Sequence, residues 1–286
     1  MVGISFAPER SVALIDNGSQ EDLCEQLSIR NSEHVTKYFL GFALGLGALP
    51  CTPAFADPRL DEIVYSPYVQ NHVFELETRY GQEIGYGSLE GANTLVTEAE
   101  YGVNDRLSVA LLTKVEKAPG ERRRLTKVAI ETVYYLGQIP KIGVDAGLYL
   151  EIGKGANGDS DGVEAKILLA KTAGRFQGLL NIIAERPLSG PSSDAFTSYG
   201  YAASATWRTV GNLRLGVEAF GDFGDDHAFL RHAQGAYVGP QLKWEGRAVG
   251  SPVEFGVDAG WLAAVGPDRG EARSQARISI ELEHRF

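Results

Sequence analysis

The last fourteen residues of the chain, Arg273 to Phe286, alternate in character. Ala276, Ile278, Ile280 and Leu282 fall on one parity, which continues through His284 to Phe286. Arg277, Ser279, Glu281, Glu283 and Arg285 fall on the other. Successive side chains of a strand point to opposite faces, so this segment reads as a strand with one apolar and one charged face. It ends on an aromatic ring with no polar tail after it. A soluble strand can show this alternation as well, but an ending on an aromatic residue is less usual for one.

This ending resembles the C-terminal signal of Gram-negative outer-membrane β-barrels, whose last strand carries alternate apolar residues and closes on Phe. The resemblance implies that Ile278, Ile280, Leu282 and Phe286 form an assembly signal read by the outer-membrane assembly machinery. It also implies an integral outer-membrane protein in contact with lipid and lipopolysaccharide, reached by export through the inner membrane and periplasm.

The start of the chain fits export. Lys37 precedes Tyr38-Phe39-Leu40-Gly41-Phe42-Ala43-Leu44-Gly45-Leu46-Gly47-Ala48-Leu49, an apolar run too short to span a bilayer comfortably. Ala54-Phe55-Ala56 then supplies an A-x-A cleavage pattern. Residues 35–56 therefore read as a signal peptide cut after Ala56. A signal peptide begins with its basic region, so residues 1–34 read as a mis-assigned start or an extension. Cleavage leaves 24 basic and 31 acidic residues and removes both cysteines, Cys24 and Cys51. A disulfide scaffold is thereby excluded.

Residues 57–71 show no sustained period and read as a mature N-terminal arm. From residue 72 onward the chain divides into twelve strand-like runs: 72–81, 94–102, 106–116, 125–136, 142–152, 163–173, 176–186, 197–208, 213–223, 236–247, 253–265 and 274–286. Short connections, such as Gly102-Val103-Asn104-Asp105 and Gly174-Arg175, alternate with longer polar ones, such as 82–93, 153–162 and 224–235. Short turns at one end and long loops at the other are the plan of an outer-membrane barrel. The expected fold is all-β: a twelve-stranded antiparallel transmembrane β-barrel over residues 72–286.

The two faces separate by parity. Leu107, Val109, Leu111, Val128, Ile130, Tyr134, Leu148, Leu150, Leu215, Val217, Phe255 and Trp261 fall on an apolar face expected to meet lipid. The opposite parity is expected to line a lumen with Glu75, Glu77, Arg79, Glu98, Glu100, Arg106, Lys127, Glu131, Asp145, Glu164, Lys166, Arg214, Glu218, Lys243, Glu245, Glu254, Asp258, Arg277 and Glu281. With the remaining inward-parity charges the count is 17 acids against 11 bases, a lumen net negative by about six. A water-filled channel of that sign favours cations. A salt-bridge network that closes the barrel is the competing arrangement, because twelve strands lie between filled barrels and open porins. Tyr101, Trp207, Trp244 and Phe286 lie at turn-side ends, where amphipathic rings suit a membrane interface.

Leu112, Tyr135, Tyr149, Leu168, Leu179, Ile183 and Phe220 share the charged parity. Two readings are open. They form an inner strip that contacts small aromatic or hydrophobic solutes, or a bulge reverses the parity of runs 163–171 and 176–186.

The segment Glu98-Ala99-Glu100-Tyr101-Gly102-Val103-Asn104-Asp105-Arg106-Leu107 is similar to one found in a group of twelve-stranded porin-like proteins associated with the meta-cleavage pathway of phenol degradation. Gly239-Pro240 is a second, shorter match. What this resemblance implies is passage of a small molecule.

Enzymatic readings find less to build on. The histidines after the leader, His72, His227, His232 and His284, have no serine two residues away to activate as a nucleophile. Asp225-Asp226-His227 in a long loop, with Asp194 or Asp159 on others, is the nearest match to an acid-and-histidine protease rim. Asn157-Gly158-Asp159-Ser160-Asp161-Gly162 opens like a calcium loop, but Leu168 stands where the closing Glu belongs. No phosphate-binding glycine loop and no basic patch for nucleic acid is present, and no cofactor or metal is expected. The expected function is porin-like passage of small solutes. The alternative is a non-conducting barrel whose structural, surface-binding or hydrolytic role sits on its external loops.

Overall fold

The computed structural model describes residues 60–191, 196–230, 235–247, 250–270 and 272–286; the expected leader, its Ala54 and Ala56 motif, and residues 1–34 lie outside these. Strands follow in order: β1 (Val73–Ile84), β2 (Asn93–Asn104), β3 (Leu107–Lys117), β4 (Arg124–Ile139), β5 (Val144–Gly155), β6 (Asp161–Ala173), β7 (Phe176–Ser189), β8 (Ser198–Arg208), β9 (Leu213–Asp225), β10 (Ala236–Arg247), β11 (Val253–Val265) and β12 (Ser274–Arg285). Each pairs antiparallel with its chain neighbours, and β1 pairs with β12, so the sheet closes on itself. Closure leaves no strand edge unpaired, which is what a sheet in hydrocarbon requires.

Local chemistry sets the turns. The β6–β7 connection is the two-residue Gly174-Arg175, and Gly174 takes a φ of 61°, a value open to glycine without steric cost. On the other rim the strands run beyond the apolar stretches: β1 reaches Ile84, β5 Gly155 and β7 Ser189. Backbone pairing continues there into water, where no apolar alternation marks it in the sequence. Pro240 sits within β10 and faces outward; neither it nor Gly239 has a partner on β11. Proline has no N–H to give to the ladder at that point.

The outward face is an apolar belt. Leu111, Ile130, Ile152 and Val217 are 54%, 60%, 59% and 54% exposed, and Trp261 and Ile280 about as much. A water-soluble barrel would place its charges there, so this surface fits lipid. Tyr101, Trp207, Trp244 and Phe286 are exposed at the turn-side rim, where the interface would lie. Ile130→Arg, in the middle of this belt, is expected to cost about 2–4 kcal/mol, read as a lower midpoint of unfolding in phospholipid bilayers.

The parity-reversing bulge does not occur. In β6, Lys166, Leu168 and Ala170 are buried while Ile167 is exposed, and in β7 Leu179, Asn181 and Ile183 are buried while Leu180 and Ile182 are exposed. The register shift between these strands lies at Asp161/Gly162, at the loop end, where it leaves both faces unchanged. All seven apolar residues of the charged parity are therefore on the inward face.

Candidate functional site

Strand pairing assembles eight of the inward glutamates into one long row. Glu254 stands opposite Glu283, Glu283 opposite Glu75, and Glu75 opposite Glu100. Ala110 follows, then Glu131, Glu151, Glu164 and Glu185, each opposite the next. Because strands in a barrel are tilted and staggered, such a row climbs the wall obliquely. This one starts one residue into β11 on the turn-side rim and ends near the loop end of β7. Beside its lower half runs a second row, Glu281–Glu77–Glu98. Directly opposed like charges destabilise a sheet, so nothing in strand pairing itself accounts for this arrangement.

Bases flank part of the row. Arg79 donates to Glu98 at 2.9 Å and lies 3.5 Å from Glu77. Lys127 meets Glu151 at 2.6 Å, Lys166 meets Glu164 at 2.9 Å, and Lys243 meets Asp258 at 2.7 Å. Arg277 is 3.7 Å from Glu218 and lies over the Phe220 ring at 4.1 Å. Arg214 is buried on the same face, and Asp145 and Glu245 stand towards its turn-side end. Glu254 pairs with Arg247 at the rim. Arg106 does not line the lumen: it lies in the β2–β3 turn and is exposed, because β3 starts only at Leu107.

The arm enters the barrel. Its residues from Leu60 to Asn71 run along the inside of the wall, with Leu60, Val64 and Pro67 buried. Asp61 reaches Lys114 at 3.0 Å and Glu62 reaches Lys166 at 2.5 Å. The Tyr65 N–H donates to Asn181 Oδ1 at 2.7 Å, and Asn181 Nδ2 donates back to the Tyr65 carbonyl at 2.9 Å. Arg79 donates to the Tyr65 hydroxyl at 3.0 Å, and that hydroxyl donates to Glu131 at 3.3 Å. Lower down, Tyr68 donates to Asp145 at 2.8 Å, alongside Tyr135 at 2.6 Å. At the rim Gln70 donates to Glu283 at 3.0 Å and accepts from Arg285 at 2.7 Å.

Three inward glycines make room for this path. A side chain at Gly81 would strike the Leu60 carbonyl, one at Gly102 the Gln70 carbonyl, and one at Gly147 would come within 2.9 Å of Pro67. Burial alone would push the Asp61 carboxyl up, but the charges of Lys114 and Lys127 outweigh it and hold it well below the usual carboxylate range. Asp61 therefore holds the arm fully above the ordinary Asp range near 3.9, and this contribution is lost only as pH falls through its depressed value. Burial and the hydrogen bond to Asp145 push the Tyr68 phenol up to about 12.

The inner apolar residues pack on the arm and on one another. Val64 sits with Leu179, Ile183 and Phe220. Tyr149 and Leu168 pack with Tyr65 and Val69, and Leu112 with Val96 and Ala129. Between the arm and the glutamate wall of β12, β1 and β2 remains a cavity of about 360 Å³, lined by Glu75, Glu77, Glu98, Glu100, Glu281 and Glu283 among others. Asn181 is the arm's central partner and is fully buried; its mark in the sequence is a polar residue on the inward parity between Leu179 and Ile183. Replacing it with Leu leaves the Tyr65 N–H and carbonyl unpaired, at about 1–3 kcal/mol for each group. The expected readout is faster proteolysis of the arm with the barrel intact.

In the long loops the acids are engaged locally. Asp159 pairs with Arg124, and Asp161 with Lys154 at 2.7 Å. His227 stacks on Phe196 at 3.6 Å, with Asp226 3.9 Å from its ring and 3.9 Å from Arg186. Asp194 and His232 lie outside the described residues.

A closed antiparallel barrel with an apolar outer belt and a charged interior is a transmembrane β-barrel of the outer-membrane type. No protein-family model and no curated protein matches the chain. Among solved structures it is similar to the KdgM porin in complex with disordered oligogalacturonate, at 8% identity over 74% of this chain and 99% of that one, with a TM-score of 0.47. It is also similar to an outer membrane channel from Pseudomonas putida F1, at 12% identity over 81% and 100% of the two chains and a TM-score of 0.48. For an outer membrane protein of Acinetobacter baumannii the values are 13%, 78%, 100% and 0.39. At these identities the likeness concerns the fold alone.

Proposed function

We propose that the barrel is an outer-membrane channel for small solutes that prefers cations and is closed at rest by its own arm. The observation that supports this most is the glutamate row, which carries carboxylates from one rim of the lumen almost to the other. A lumen lined in this way attracts cations along its length. The arm belongs to none of the twelve strands and is held mainly by side-chain contacts, so it can leave without unpairing the wall. Once it leaves, Tyr149, Leu168, Leu179, Ile183 and Phe220 face the passage, with Leu112 and Tyr135 beside them. They offer apolar contact to an aromatic or hydrophobic solute.

The same reading gives the chain its surroundings: lipid and lipopolysaccharide around the belt, and the assembly machinery for Ile278, Ile280, Leu282 and Phe286. It has no place for catalysis, a cofactor, a metal or nucleic acid. The filled middle of the lumen favours the second reading, a permanently closed barrel that works through its external loops. Conductance of the protein starting at Asp57, with and without arm-releasing substitutions, separates the two. Openings that appear on release of the arm support the channel; silence from folded protein in every variant supports the closed barrel.

A further inference from the structure

We infer that the buried groups holding the arm form a binding site for short acidic peptides in extended conformation, and that such a peptide displaces the arm. The inference builds on the reading that the arm can leave the lumen.

The occupant shows the chemistry of the site. Two adjacent carboxylates, Asp61 and Glu62, go to two separate buried ammonium groups, Lys114 at 3.0 Å and Lys166 at 2.5 Å. Three residues beyond Glu62, Asn181 takes both the N–H and the carbonyl of Tyr65. That pair of bonds reads an extended backbone and makes no demand on the side chain. The Tyr65 ring lies 4.7 Å from Tyr149, with the Lys166 ammonium 4.4 Å from one ring and 4.7 Å from the other. Lys114, Lys166, Tyr149 and Asn181 are each more than nine-tenths buried. Removing the occupant would leave Asn181 without a partner for its amide, deep in the wall.

These groups recognise features any peptide of the pattern acid–acid–x–x–aromatic can offer: two carboxylates, one amide unit and one ring. The site keeps the Asp61 carboxyl ionised against burial, which a neutral ligand could not exploit. An added peptide replaces the contacts of arm residues 61–65, while those of Tyr68 and Gln70 nearer β1 can stay in place. It must compete with the advantage this segment gains from being tethered to β1.

The test uses the full chain from Asp57 with Val64→Cys as its single cysteine, since Cys24 and Cys51 precede that point. Val64 is buried at rest, so its labelling by a water-soluble maleimide reports departure of the arm. The probe is N-acetyl-Asp-Glu-Ile-Val-Tyr-amide, with the Asn-Gln version as control. The acidic peptide is expected to raise the labelling rate saturably, by tenfold or more, and the control by less than a third of that. Glu62→Gln, which weakens the arm without touching the wall, is expected to lower the concentration needed; Lys166→Met is expected to abolish the response in protein that still runs as a folded barrel. An unchanged labelling rate, or an equal effect of the two peptides, overturns the inference. Conductance plays no part in this readout, so a peptide response in a silent barrel would remove the channel reading and leave the site standing.

Discussion

Placing valine at both Gly81 and Gly147 is expected to open the barrel. Both glycines face inward along the arm, and a Cβ at the first would strike the Leu60 carbonyl while one at the second would reach Pro67. Overpacking of this kind costs about 1–3 kcal/mol per site. The two positions meet the arm seven residues apart, at Leu60 and at Pro67, so their effects should nearly add. Valine suits a strand. At Gly81 the strain falls on the docked state alone, because only Leu60 is in reach; at Gly147 most of it does, with the Tyr134 carbonyl of the wall at 3.2 Å having to give slightly in either state. A shift of about 2–6 kcal/mol changes the ratio of docked to released arm by roughly thirtyfold at the least. Single-channel recording should then show frequent openings where the unaltered protein shows few. Gly162→Val serves as control, since that glycine has an arm-free neighbourhood, its nearest atom being the Arg186 carbonyl at 3.5 Å. It should leave the open probability unchanged.

The second large effect concerns selectivity. Replacing Glu75, Glu100 and Glu283 together by glutamine removes three neighbouring carboxyl groups, which water entering the released lumen would let ionise, from the row at the turn-side cavity. A unit charge about 4 Å from a passing ion in water is worth about 1 kcal/mol before screening by salt. The three together should lower the ratio of cation to anion permeability on the order of tenfold, measured as a reversal-potential shift in a salt gradient with the arm-releasing substitutions present. The same change removes directly opposed like charges, each pair costing a few tenths of a kcal/mol to about 1 kcal/mol. The triple variant should therefore unfold at the same denaturant concentration as its parent or higher. Loss of selectivity with no loss of stability would mark these residues as kept for passage.

Much of this architecture is legible in the residues themselves. The alternation of Ile278, Ile280 and Leu282 against Arg277, Glu281 and Glu283 defines β12, and the same rule places the other strands within a few residues. Parity also puts Glu131, Lys166 and Glu218 inside. Parity is silent about rows across strands, because the row depends on the stagger of all twelve, and stagger leaves no local mark. The arm is hidden for a related reason. Its contacts link residues far apart in sequence, Tyr65 with Asn181 and Glu62 with Lys166, and it has no period of its own. What does mark it is glycine at inward positions 81, 102 and 147, where an empty face needs something to fill it. Arg106 shows the limit of parity at strand ends: it has the right phase but sits in a turn.

The most direct measurement is single-channel conductance of Asp57–Phe286 in a planar bilayer under a salt gradient, recorded for the unaltered chain and for the Gly81→Val, Gly147→Val pair. Rare openings in the first and sustained cation-selective openings in the second are the predicted result. Equal silence from both, in protein shown to be folded and with the arm released, would contradict the claim that this lumen is a passage.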